Sequence, residues 1–199
     1  GAPDPIFIGP DGRVIGARKG LDVELSAAVR MPTELAVGGS LEGWRRATEG
    51  ALAAPGCPHW IIGVIAAFAG PILALTGLDT CGINLSGMSS SGKSTAQRLA
   101  ASAWSTPSAH PKGLAQSART TDNAVEAIAE RATGTVLCLD ELAHVTGKVA
   151  ARMIYTIAGG TGKRRMNADA TIRDGYSWST FAILSMRTAV EKSATVAAG

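Results

Sequence analysis

Residues Gly87 to Ser94 read G-M-S-S-S-G-K-S and satisfy every fixed position of the pattern G-x-x-x-x-G-K-[ST]. Residue types in that order hold the phosphates of a nucleotide. Gly87 and Gly92 let the backbone turn and approach an anion without Cβ clashes. The amides of Gly87, Met88, Ser89, Ser90, Ser91 and Gly92, with Lys93, Ser94 and Thr95 opening a helix behind them, aim partial positive charge at one point. Lys93 is expected to reach the β- and γ-phosphates, and the Ser94 hydroxyl to hold Mg²⁺.

A second set of residues completes such a site. The run V-L-C-L-D-E, Val136 to Glu141, reads as an apolar strand ending in two carboxylates. In an open α/β sheet an acid there stands at the ligand-binding edge. Asp140 is expected to orient Mg²⁺, and Glu141 to polarise the attacking water as general base. A base beside the metal acid favours hydrolysis over transfer to a small molecule. No N-K-x-D guanine-reading motif is present, so ATP is the expected nucleotide. Ser185, at the tip of an apolar strand running from Ser179 to Leu184, is the candidate sensor of the γ-phosphate, with Thr180 as the alternative.

The elements that must position these groups are legible in outline. Gly82 to Ser86 reads as the strand before the glycine loop, and Thr95 to Trp104 as the helix after it. Leu114 to Thr120 can form a strand. Thr121 or Asp122 caps a helix carrying Val125, Ile128 and Ala129 that stops at Gly134. Thr146 caps another, with Val149, Met153, Ile154 and Ile157 at helical spacing. Strands alternating with helices imply a parallel sheet with right-handed crossovers. Ile6–Ile8 and Arg13–Ile15 around G-P-D-G read as a hairpin, and Ser40 caps a helix with Leu41, Trp44 and Leu52.

Composition sets the frame. With 46% hydrophobic and 18% charged residues over 199 positions, the chain can bury a core of its own. A net charge of +3 permits nucleic-acid contact without arguing for it. Cys57, Cys81 and Cys138 show no metal-type spacing and suit reduced thiols, so a cytoplasmic protein is expected, and the polar start G-A-P-D-P is not a secretory signal. Trp60 to Leu78 carries no charge and is long enough to span a bilayer. Its glycines, its alanines and Pro71 favour instead a proline-interrupted helical pair packed on the sheet or on a neighbouring subunit, with no membrane partner.

A basic stretch, T-G-K-R-R-M-N-A-D-A-T-I-R-D-G, lies between the acidic strand and the sensor strand. Lys163, Arg164, Arg165 and Arg173 stand against Asp169 and Asp174, a surplus of +2, and N-A-D-A can turn a hairpin. Such a hairpin can supply an arginine, Arg164 or Arg165, to a neighbour's ATP, or grip a nucleic-acid backbone. His59, His110 and His144 carry no clear chemistry; His144 stands nearest the acidic pair.

Five segments together make the chain resemble domain-of-unknown-function family 927: Ala66–Leu78, Gly87–Thr95, Ala118–Glu126, Leu137–Leu142 and Gly159–Met166. The resemblance covers roughly Ser40 to Ser185. It implies a P-loop NTPase of the AAA+ (ASCE-like) type: an α/β fold of three layers, α/β/α, with a mainly parallel sheet. It also implies helicase-like activity in the replication of phages, plasmids and mobile elements. The partners it implies are single-stranded or forked DNA, a homo-oligomeric ring expected to be a hexamer, and a primase module. No fifth strand, lid or second sensor arginine follows Ser185, so the expectation is a core with its C-terminal lid absent. The expected division is an N-terminal appendage with a hairpin (1–39), an ATPase core (40–187) and a frayed tail (188–199). The competing expectations are a P-loop kinase for a small molecule and a regulatory ATP switch that does not unwind.

Overall fold

A computed structural model describes residues 6–8, 14–16, 38–105, 114–142, 145–163, 165–166, 172–173 and 175–187. Phe7–Ile8 (β1) pairs antiparallel with Val14–Ile15 (β2). Helices Leu41–Leu52 (α1), Pro58–Ala66 (α2) and Ala69–Thr76 (α3) follow, and then Cys81–Ser86 (β3) and Lys93–Ser102 (α4). Ala115–Ser117 (β4), Asp122–Arg131 (α5), Val136–Asp140 (β5) and Gly147–Ala158 (α6) come next. Arg165–Met166 (β6) pairs antiparallel with Ile172–Arg173 (β7), and Phe181–Met186 (β8) closes the described chain.

Local chemistry sets the helix starts. The Ser40 hydroxyl accepts the Gly43 N–H at 3.1 Å and starts α1. The Thr121 hydroxyl accepts the Ala124 N–H at 3.3 Å and starts α5, so Thr121 is the cap and Asp122 the first helical residue. Thr146 occupies the same position before α6, but its side chain makes no capping bond.

β3, β8, β5 and β4 form one parallel sheet in that order. The pleat sends Val136, Cys138 and Ile183 to one face, where they pack with Ala66, Ala67, Ala100 and Ala101 of the α2 and α4 segments. Leu137, Leu139, Ala182 and Leu184 go to the other face, against Val125, Ala129, Met153 and Ile157 of α5 and α6. Helices therefore cover both faces, which is why β5 reads as an unbroken apolar run. The observed architecture is mixed α/β in three layers around a four-stranded parallel sheet.

The apolar stretch from Trp60 is a helical pair, as the sequence suggests, but it breaks at Ala67–Phe68 rather than at Pro71. Pro71 sits in the first turn of α3, where a missing N–H costs no helix bond. No helix among the described residues is long and apolar enough to cross a membrane. One side of the pair is buried through Gly63, Ala66, Ala67 and Leu73. The other exposes Ile61, Ile65, Phe68, Ile72 and Leu75. Gly63 is where α2 approaches α4 most tightly, since a Cβ there would run into the Ala96 carbonyl of α4.

Gly63→Val is expected to force α2 off α4 and cost roughly 1–3 kcal/mol of unfolding free energy. A urea titration checks it, and a midpoint equal to that of the unmutated chain would contradict this packing.

Candidate functional site

The site grows from the C-terminal ends of three strands. β3 ends at Ser86, and the Gly87 N–H donates to the Met186 carbonyl of β8 at 3.3 Å, so the glycine loop leaves from the sheet edge. The loop turns through Ser90 at φ 60° and Gly92 at φ 83°, both left-handed, and Gly92 then caps α4. The Lys93 ammonium donates to the carbonyls of Gly87 at 3.0 Å and Met88 at 2.6 Å and to the Ser91 hydroxyl at 3.1 Å. The loop is thus curled around its own lysine.

Asp140, the last residue of β5, collects the remaining polar groups. The Ser94 hydroxyl donates to Asp140 Oδ2 at 2.6 Å. The Ser185 hydroxyl donates to Oδ1, which also accepts the Glu141 N–H at 2.9 Å. The same N–H lies 3.3 Å from Ser185 Oγ. Glu141 is exposed and holds φ 65°, a left-handed backbone that a glutamate rarely adopts. Its amide is anchored on the inside and its residue is carried to the surface. The structure therefore brings Lys93, Ser94, Asp140, Glu141 and Ser185 to one edge.

Two details differ from the sequence expectation. Ser185 is not beyond the strand tip but inside β8, which runs to Met186, because the strand is shifted toward the C-terminus. Thr180 precedes β8 at the opposite end of the sheet, where its buried hydroxyl donates to the Thr135 carbonyl at 3.2 Å. It fastens the start of β8 to the start of β5 and has no place in the site.

Sequence reasoning missed Gln97. It is almost fully buried, and its amide donates to the carbonyls of Leu139 in β5 and Ile183 in β8, each at 2.9 Å. One side chain from α4 therefore holds the two central strands against the loop helix. The available signal was its helical spacing with Ala96, Ala100 and Ala101, which places a polar residue on a buried face. Trp60 was missed as well: its indole N–H donates to the Gly92 carbonyl at 3.1 Å.

The basic stretch forms the β6–β7 hairpin, with Arg165 opposite Arg173 in register. Its base is held by the Gly162 N–H donating to the Tyr176 carbonyl at 2.7 Å and by the Trp178 N–H donating to the Gly160 carbonyl at 2.9 Å. Glu126 of α5, fully buried, accepts the Lys163 N–H at 3.2 Å. Arg164, residues 167–171 with Asp169, Asp174, His110, His144 and residues 188–199 lie outside the described residues.

Fold and site together define a mixed α/β protein with a polar constellation at the C-terminal edge of a parallel sheet. The model of the family described as domain of unknown function DUF927 matches residues 4–177, and the chain belongs to that family. No curated protein matches it significantly. Among solved structures, one described as "SCCmec type IV Cch - active helicase" is similar with a TM-score of 0.68 at 21% identity. The match covers 92% of this chain and 35% of that one, so the chain spans about a third of its length. At that identity the likeness is one of fold.

Cys138 lies beneath the site, and burial first, then the charge of Asp140, push its thiol far above the ordinary range. It is expected to resist iodoacetamide in the folded chain, while exposed Cys81 reacts. Above the ordinary value of 9.0, the unfolded chain releases a proton that the folded chain keeps, so this residue's contribution to stability falls as pH rises past that point. Alkylation of Cys138 without unfolding, followed by peptide mapping, would contradict the assignment.

Proposed function

We propose that the chain is the ATP-hydrolysing core of a ring-forming DNA helicase that serves the replication of a mobile element. The observation that carries this reading is the convergence on Asp140. A hydroxyl directly after the loop lysine and a strand-end carboxylate stand 2.6 Å apart, although they lie far apart in the chain. A hydroxyl and a carboxylate side by side are the hard oxygen donors that Mg²⁺ takes, so Ser94 and Asp140 fit that ion. The fold likeness to an active helicase supports the motor assignment.

In this reading the amides of Gly87 to Thr95 bind the phosphates of ATP, and the Lys93 ammonium exchanges its loop carbonyls for phosphate oxygens. Bound Mg²⁺ supplies neutralisation of charge on those oxygens. Glu141 accepts the proton of the attacking water. Ser185, bonded to Asp140 and beside the Glu141 amide, keeps the two acids in register and senses the γ-phosphate. Arg164 or Arg165 completes the site of a neighbouring subunit, and the β6–β7 hairpin meets single-stranded or forked DNA. A hexameric ring and a primase module are the assembly and partner proposed with it.

Lys93→Ala is expected to abolish ATP binding, measured by calorimetry. Glu141→Gln is expected to keep binding and to lose hydrolysis by on the order of 100-fold. Single-stranded DNA should stimulate ATP turnover in a protein that carries this chain within its full-length context. Normal hydrolysis by Glu141→Gln would remove Glu141 as the base. Phosphate transfer to a small molecule without DNA stimulation would replace the motor with a kinase.

A further inference from the structure

The first turn of α2 abuts the end of the glycine loop. Trp60 Nε1 donates to the Gly92 carbonyl at 3.1 Å, and the same carbonyl accepts the Ala96 N–H of α4 at 3.1 Å. Beside the indole, the His59 ring closes the space. A Cβ on Gly92 would lie 2.8 Å from Trp60 Nε1 and 2.9 Å from His59 Nε2. Among the described residues His59 Nε2 finds no hydrogen-bond partner, so of these two rings the indole is the one that fixes a direction.

That direction matters because of the peptide that follows. The Gly92 carbonyl and the Lys93 N–H belong to one planar trans unit and point opposite ways. Two donors on the carbonyl hold it down the axis of α4. They thereby hold the Lys93 N–H up and out of the helix start, among the amides with no partner inside the helix. A carbonyl that accepts two hydrogen bonds also polarises its peptide and makes the N–H on its far side a stronger donor.

We infer that Trp60 is a positioning residue of the phosphate cradle: its indole fixes the Gly92–Lys93 peptide so that the Lys93 amide donates to a bound phosphate. The inference rests on the nucleotide site proposed above. It gives α2 a task beyond covering the sheet, because the helix that carries exposed Ile61 and Ile65 also holds one of the anion-facing amides.

The test uses the full chain with ATP and Mg²⁺. Trp60→Phe keeps the ring and removes the donor. The expected result is a KM for ATP raised about five-fold, the worth of one neutral hydrogen bond, with kcat within about two-fold of the unmutated chain. The preference for ATP over GTP should stay the same, since only phosphate contacts change. A second measurement needs no substitution in the sample observed. In the ¹⁵N-labelled unmutated chain the Trp60 indole N–H resonance is expected to shift on adding inorganic pyrophosphate. The Trp178 indole, which donates to the Ile157 carbonyl at 2.8 Å, should stay in place. An unchanged KM in a folded Trp60→Phe, or a Trp60 resonance that stays still while the Lys93 amide moves, overturns the inference. If the unmutated chain binds neither ATP nor pyrophosphate, the nucleotide site itself falls, and this inference with it.

Discussion

One carboxylate organises the C-terminal edge of the sheet. Asp140 accepts hydrogen bonds from Ser94, Ser185 and the Glu141 amide, so the loop helix, the central strand and the exposed acid all meet on its two oxygens. This works only because β5 and β8 pair with Leu139 opposite Leu184, which sets Asp140 beside Ser185. A slip of one residue would send Ser185 to the other face and break the set. Gln97 guards against that slip from outside the sheet by bonding both strands at once.

Indole N–H groups recur as the ties between segments. Trp44 reaches Ser102 at the end of α4, Trp104 reaches the Ala67 carbonyl at the end of α2, and Trp60 reaches Gly92. Three bonds thus fix the α1–α2 region to both ends of the loop helix. Tryptophan suits this place because a large apolar ring fills the gap between helices while one edge satisfies a polar partner. Alanine and glycine do the complementary work. Gly63 against Ala96, with Ala66, Ala67, Ala100 and Ala101 around them, lets two backbones approach closely enough for the indoles to reach.

On the other face, backbone hydrogen bonds attach the root of the basic hairpin. The buried Glu126 of α5 and the carbonyls of Gly160 and Tyr176 hold its base. A buried acid is costly unless it is hydrogen-bonded, and here it receives a main-chain N–H of the hairpin root. The position of the hairpin is therefore linked to α5, which leads into β5 and Asp140.

The sequence by itself determined most of the elements and the local turns that begin and end them. Gly87–Ser94, the acid pair at Asp140, the caps at Ser40 and Thr121 and the two-faced apolar run of β5 follow from short-range rules: glycine where the backbone must turn left-handed, a hydroxyl where a helix starts, and apolar residues where both faces are covered. Tertiary structure decided what depends on contacts between distant segments. It set Ser185 inside the strand and gave Thr180 to the far end of the sheet. It turned Gln97 into a brace and brought Trp60 to Gly92 across 32 positions. Apart from the place of Gln97 on the buried face of its helix, these have no local signature, because a hydrogen bond to a backbone carbonyl can be made by any donor that the fold happens to bring within reach.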